Sequence, residues 1–250
     1  MAAPNSHQLA QQPTSGRRPA ARRLTMAAIA VSLCLVFAGT AAAWDSARGS
    51  DATAAADEHQ QQHPDRGHGD RIDPDVFRQD MRKLWEDHIT WTRLFIVSAI
   101  AELPDVDATA NRLLQNQDDI GAAIAAFYGE DAGQGLSALL RDHILIAADL
   151  VAAAKAGDDD AVASELASWY ANGDDISAFL AAANPAWPVE TLEEMMRMHL
   201  DQTLAEATAR LNQDWTTDVA TYDAIHLHIL AMADTLADGI IEQFPRRFSH

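Results

Sequence analysis

The chain has very little cysteine and few basic residues, and both scarcities limit its functions. Cys34 is the only cysteine among 250 residues, so the chain forms no intramolecular disulfide and the part beyond it offers no thiolate. Lysine and arginine total 18 against 37 aspartates and glutamates, a formal net charge of −19. Because an acidic surface repels a polyanion, we expect no nucleic-acid partner. The charge suits metal cations, and it also promotes solubility.

The sequence also lacks the short motifs that mark common enzymes and cofactor sites. It contains no G-x-S-x-G elbow, no phosphate-binding P-loop, no dinucleotide-binding glycine pattern and no C-x-x-C-H haem-attachment motif. No substrate pocket can be located from sequence. Whether the protein is an enzyme therefore stays open at this stage.

The N-terminal region is typical of a targeting segment. Residues 17–23 are basic, residues 26–43 are apolar, and three small residues, Ala41 to Ala43, precede Trp44. This pattern predicts a signal peptide over residues 1–43 and a secreted or extracytoplasmic protein. The alternative is an uncleaved N-terminal anchor, because the apolar run is close to the minimum for a spanning helix. If the segment is uncleaved, membrane contact is expected through residues 26–43 and nowhere else.

The polar stretch that follows predicts a disordered linker over residues 44–73, because it contains almost nothing that could form a core. Its His59, His63 and His68 could chelate a metal weakly or could belong to a plain polar spacer. Residues 1–43 contain four arginines and no acidic residue, so the remainder has a formal net charge of −23.

From Pro74 onward, helical periodicity replaces any alternating pattern, which predicts one all-α domain over residues 74–250. Breakers divide it into six helices, which we expect to form an up-down bundle of three antiparallel hairpins. The segments that separate the six helices are Leu103 to Asp105, Tyr128 to Gly135, Gly157 to Asp158, Asn184 to Pro188 and Asn212 to Thr216.

The three hairpins repeat one another at a period close to 56 residues. Asp87-His88 returns as Asp142-His143 and, more loosely, as Met198-His199. The residues that follow these histidines by 28 or 29 positions are Asn116, Asn172 and His228. Three matched spacings predict duplication of a helical hairpin. They also place polar side chains at the same height in each antiparallel pair.

Histidines lie on the apolar stripes of four predicted helices, which suggests a shared site. Neutral imidazole is the commonest protein ligand for transition metals, and helix bundles build metal sites from facing helices. The sequence thus predicts a metal ion, copper or zinc, because imidazole suits both. The candidates for direct metal ligands are His88, His143, His199 and His226, with His228 or Asp223 as substitutes. The candidates for orienting them are Asp87, Asp142, Asn116 and Asn172.

The alternative is a structural or interaction module at the cell surface, in which the same histidines only pack. They would then hydrogen-bond to neighbouring aspartates and asparagines and fix the register of the helices. The sequence identifies no protein partner for such a module.

Three segments carry a resemblance to known proteins. At LWEDHITWTR (84–93), DHILIAADLV (142–151) and DGIIEQFP (238–245), the chain resembles a group of bacterial all-helical proteins that have no established activity. The resemblance spans roughly residues 76–248 and is most specific in the first motif. It implies an all-α domain and transfers no catalytic residue.

Overall fold

The computed structural model describes residues 71–249, and within them the chain is all-helical. Six helices and one 3₁₀ turn (Pro245–Arg247) make up these residues. The helices are α1 (Pro74–Ala101), α2 (Val106–Tyr128), α3 (Glu130–Ala156), α4 (Asp159–Ala183), α5 (Val189–Leu211) and α6 (Trp215–Gln243). The prediction of six helices is confirmed. The predicted signal peptide and linker lie outside the described residues, apart from the last three positions of the linker.

The breakers end the helices for physical reasons visible in the backbone. Asp73 caps α1 with its carboxylate on two backbone amides, and Pro74 fills the first helical position. Gly157 ends α3 with a left-handed φ of 69°. One predicted boundary is too wide, because Gly129 alone separates α2 from α3. Gly133 is helical and lets the two backbones approach: a Cβ there would lie 2.6 Å from the carbonyl oxygen of Gly121.

Each helix packs antiparallel to the next one along the chain, and α6 returns to pack against α1. Ion pairs between residues far apart in sequence connect α1 with α6. Arg78 pairs with Asp238 and Arg82 with Asp234, while Arg93 reaches Asp218. As the number rises along α1 it falls along α6, so these two helices are also antiparallel. A closed ring of alternating directions needs an even number of helices, which six provides.

The core runs along the length of this ring and includes much of α6. By length and composition α6 could cross a membrane, with a mean hydropathy of 1.3 in its most apolar window. Its Ile225, Ile229, Ala233 and Ile240 are nevertheless fully buried against the other helices. The apolar composition of α6 therefore matches its place in the bundle core.

Candidate functional site

Three histidines from alternate helices converge in the middle of the bundle. His88 of α1, His143 of α3 and His199 of α5 are 2%, 3% and 4% exposed. The ring centroids of His88 and His199 are 5.5 Å apart, and those of His143 and His199 are 6.3 Å apart. Tryptophans flank two of the rings, Trp85 beside His88 and Trp169 beside His143. We call His88, His143 and His199 the histidine layer.

The same hydrogen bond braces the helix of each histidine. In every case the donor belongs to the next helix, and the acceptor is the backbone carbonyl four residues before the histidine. The three bonds run from Asn116 to Leu84, from Asn172 to Leu139 and from His228 to Met195, at 3.0, 3.1 and 2.9 Å. Because the acceptor carbonyl precedes the histidine by four positions in each case, α1, α3 and α5 are each held next to their histidine by the following helix.

The protonated nitrogen of His143 is fixed by Asn172. The amide nitrogen of Asn172 donates to a carbonyl, so its Oδ1 accepts from His143 Nδ1 at 2.8 Å. The proton of His143 therefore resides on Nδ1, and Nε2 keeps a free lone pair. This is the arrangement that metal-binding histidines generally have.

His88 has the opposite arrangement because of Gln117. The amide nitrogen of Gln117 donates to the carbonyl of Leu113 at 2.8 Å and lies 3.3 Å from His88 Nδ1. The same nitrogen lies 3.3 Å from Asn116 Oδ1. Because an amide nitrogen donates and does not accept, His88 Nδ1 is the acceptor in its contact with Gln117, and the proton resides on Nε2. The layer consequently presents a lone pair from His143 and an N–H group from His88.

Burial keeps the whole layer uncharged. Desolvation lowers the pKa of His88 to about 3 and that of His143 to about 4. The pKa of His199 is lowered well below its ordinary value, first by burial and then by repulsion from the neighbouring rings. The rings are therefore neutral at physiological pH, the state in which imidazole binds metals.

Several buried polar atoms at the layer have no partner within residues 71–249. They are Nδ1 of His199, Oε1 of Gln117 and the indole nitrogens of Trp85 and Trp169. Buried polar groups are nearly always hydrogen-bonded, and each exception calls for an explanation. Four such atoms around the histidine layer are consistent with a site whose polar groups bind a ligand.

An apolar cavity of about 130 Å³ adjoins the layer and is lined in part by all three histidines. It extends along the bundle axis towards the ends of α1, α3 and α5, where Thr208 is exposed and Leu211 is partly exposed. An apolar cavity with a few convergent polar groups is the usual form of a small-molecule binding site.

The structure does not bring the α6 candidates into the layer. His226 has a side chain that is 40% exposed and bonds to Glu86 at the surface, so the prediction that it faces the core is wrong. The buried stripe of α6 passes through Ile225 instead, one residue and about 100° away. Asp223 is exposed. His228 is half-buried and serves as the brace on Met195.

The two aspartates also do not orient the rings. Asp87 pairs with Lys83 at 2.8 Å on the surface, and Asp142 is exposed. Each precedes its histidine by one position, so when the histidine faces inward the carboxylate points sideways. The sequence did identify Asn172, but it missed Gln117, which contacts His88 where Asn116 was expected to do so. The only available signal was that Gln117 is next to Asn116.

The histidine layer as it stands is not a preformed metal centre. Within residues 71–249, no group of three or more histidine, cysteine, aspartate or glutamate side chains has the arrangement of a metal site. Ligation by this layer therefore needs a rearrangement of its rings.

A buried ionic cluster lies at the same end of the bundle as the cavity. Arg93 of α1 bonds to Glu206 of α5 and, at 2.8 Å, to Asp218 of α6, while Arg210 contacts Asp218 at 3.0 Å. The two carboxylates are almost completely buried, and the guanidinium of Arg93 also packs over the ring of Tyr222. We call Arg93, Glu206, Arg210 and Asp218 the ionic cluster.

Comparison of the chain with protein-family models, with curated proteins and with solved structures finds no match.

Proposed function

We propose that this acidic helical bundle binds one transition metal ion, copper or zinc, through His88, His143 and His199. The observation that supports the proposal most is the convergence of three buried, neutral imidazoles from three helices. Imidazole suits both metals, and no cysteine follows residue 34 to supply a softer ligand. Three histidines and one open position are a known catalytic arrangement for zinc.

The ring separations are compatible with this proposal once His143 moves. A metal about 2.0–2.1 Å from Nε2 lies about 3.2 Å from the ring centroid, so two tetrahedral ligands have centroids about 5.2 Å apart. The His88–His199 separation of 5.5 Å already approaches that value. The His143–His199 separation of 6.3 Å exceeds it, so ligation requires His143 to approach His199 by about 1 Å and to approach His88 as well.

Ligation also requires a change of tautomer at His88. Its proton must move from Nε2 to Nδ1, where it needs an acceptor in place of the Gln117 amide nitrogen. Gln117 carries such an acceptor, because its Oε1 is buried and has no partner within the described residues. A rotation of the Gln117 amide would supply it, at the loss of the bond to Leu113.

The metal-free hydrogen bonds of the layer favour a second function, that of a non-enzymatic structural or interaction module. Metal binding would have to change the tautomer of His88 and rotate the Gln117 amide, whereas a module needs neither change. In that case Gln117 stays on His88, Asn172 stays on His143, and the layer fixes the register of the helices without any ligand. The two functions differ in one measurable respect, because only the first takes up a metal in stoichiometric amount.

We expect the untagged full-length protein to bind one copper or zinc ion near neutral pH, measured by titration and elemental analysis. Replacing His88 by glutamine should abolish this uptake, because two imidazoles hold a metal far less tightly than three. The matched control is His63→Gln, which lies outside the layer and should retain it. Circular dichroism of His88→Gln establishes that the variant is folded.

Absence of stoichiometric uptake of copper, zinc or iron by the folded protein would reject the metal function and leave the packing layer as the role of these histidines. Uptake that is lost in His63→Gln and kept in His88→Gln would assign the metal to the N-terminal histidine tract instead.

We also propose that the bundle arose by repetition of one helical hairpin, as its 56-residue period suggests. Support comes from the three equivalent braces onto Leu84, Leu139 and Met195. The positions just after each histidine, Ile89, Ile144 and Leu200, are likewise all buried. Duplication explains why three imidazoles share one height, since each hairpin inherits the same histidine.

Export is the proposed localisation, supported by the basic residues 17–23 and the apolar residues 26–43. We expect N-terminal sequencing of the protein recovered from expressing cells to begin at or near Trp44. A membrane-bound chain that retains residues 26–43 would instead indicate the uncleaved anchor.

A further inference from the structure

The cavity beside the histidine layer is built by the choice of residues on its two sides. On one side of the layer, the residues three positions before each histidine have large, buried side chains; they are Trp85, Leu140 and Met196. On the other side, the residues four positions after each histidine have small side chains that line the cavity; they are Thr92, Ala147 and Thr203. The same asymmetry occurs in each hairpin, so the space is a regular feature of the fold and not a local packing fault.

The volume of the cavity suits one small molecule. An engineered cavity of about 150 Å³ in another protein stays dry and binds benzene. At 130 Å³, the cavity described here is slightly smaller. It therefore matches a molecule of about six or seven heavy atoms.

The lining of the cavity selects an uncharged ligand. Within residues 71–249, no lysine, arginine, aspartate or glutamate lines it. Apart from the three buried imidazoles, its polar lining consists of threonine hydroxyls and the indole of Trp169, none of which carries a charge. Burying an unpaired charge there would be prohibitively unfavourable.

The two assigned tautomers define the head group. His143 offers the lone pair of Nε2 because Asn172 holds its proton on Nδ1. His88 offers an N–H at Nε2 because Gln117 donates to its Nδ1. Both histidines line the same cavity, and an acceptor together with a donor matches a hydroxyl group, which donates one hydrogen bond and accepts another.

We propose that this cavity binds a small neutral molecule with a compact apolar body and one hydroxyl group, of the phenol class. The apolar body lies among the small side chains around Ala147, and the hydroxyl donates to His143 and accepts from His88. This site goes beyond the proposed metal function and does not depend on it, because the head group contacts the metal-free rings directly.

The test compares phenol with benzene as probes of the full-length protein kept metal-free with a chelator. We expect phenol to bind with 1:1 stoichiometry by calorimetry, and benzene to bind at least about tenfold more weakly. The difference corresponds to the hydrogen bonds that only the hydroxyl can make. Equal affinity for the two probes, or no binding of phenol, would overturn the proposal.

Two variants locate the site. Ala147→Leu fills the cavity without altering any histidine, and we expect it to abolish the binding of phenol. His143→Leu removes the acceptor, and it should reduce the preference for phenol over benzene to less than about threefold. If His143→Leu fails to fold, Ala147→Leu and the two probes still decide the question. Undiminished phenol binding by folded Ala147→Leu would place the ligand elsewhere and overturn the proposal. Because no metal is present, failure here is distinct from failure of metal uptake.

Discussion

Lowering the pH from 7 to 5 should reduce the free energy of unfolding of the metal-free protein by about 4 kcal/mol. The unfolded chain protonates its histidines near pH 6.5, whereas burial lowers the pKa of His88 to about 3 and of His143 to about 4. His199 is shifted in the same direction. Each of these buried rings therefore contributes stability above pH 6.5 that is lost as the pH falls towards the folded-state pKa. Between pH 7 and 5 the loss is about 2 kcal/mol per histidine, or about 6 kcal/mol for the layer.

Glu206 acts in the opposite direction. Desolvation raises its pKa to about 7, against the attraction of Arg93, so the folded protein binds this proton before the unfolded chain does. Protonation of Glu206 in the folded protein raises the free energy of unfolding by about 2 kcal/mol between pH 7 and 5. Together with the loss of about 6 kcal/mol from the histidines, this gives a net decrease of about 4 kcal/mol. Urea unfolding at several pH values, followed by circular dichroism with a chelator present, measures the sum.

The contribution of one ring can be isolated by substitution. His143→Leu should make the decrease between pH 7 and 5 smaller by about 2 kcal/mol, because one neutral imidazole is gone. The control is His226→Gln, which removes a half-exposed imidazole at the surface and should leave most of the decrease in place. A wild-type protein equally stable at pH 7 and pH 5 would contradict the assignment of three neutral, buried rings.

The sequence predicted the helices and the histidine layer because both depend on local signals. Breakers such as Pro104 and Gly157 end helices by their own backbone chemistry, whatever the tertiary fold. The stripe that places His143 among leucines requires only the helical period. The similar spacings, 28 residues from His88 to Asn116 and 29 from His143 to Asn172, then predicted the height at which side chains meet across an antiparallel pair.

The errors concern information that the helical period does not contain. α6 is apolar on most of its circumference, so two neighbouring stripes were equally plausible, and its ion pairs with α1 decide between them. Whether Asn116 or Gln117 meets His88 depends on rotation of α2 about its axis, which follows from packing. The cavity had a sequence signal, the small residues Thr92, Ala147 and Thr203, but its meaning depends on which stripes face the axis.

The ionic cluster connects three helices of the bundle. Its four side chains come from α1, α5 and α6, so it ties the helix that closes the ring to the two helices beside it. Glu206 contacts only Arg93 among these partners, whereas Asp218 contacts both arginines. Loss of Arg93 would therefore leave the Glu206 carboxylate buried without a counter-charge, while Asp218 would keep Arg210.

Replacing Arg93 by methionine should lower the free energy of unfolding by about 3–5 kcal/mol at pH 8, because an unpaired buried carboxylate is strongly destabilising. The penalty should be smaller at pH 6, since Glu206 already has a pKa of about 7 and takes up a proton there. The matched control, Arg82→Met, breaks the partly exposed pair with Asp234 and should cost no more than about 1 kcal/mol.

Adding Glu206→Gln to Arg93→Met should recover most of the loss at pH 8, because the double variant contains no orphaned charge at this position. Urea unfolding of the four proteins at the two pH values measures these differences. An Arg93→Met penalty that equals the Arg82→Met penalty, or that the second substitution does not relieve, would show that Arg93 is not the counter-charge that stabilises Glu206.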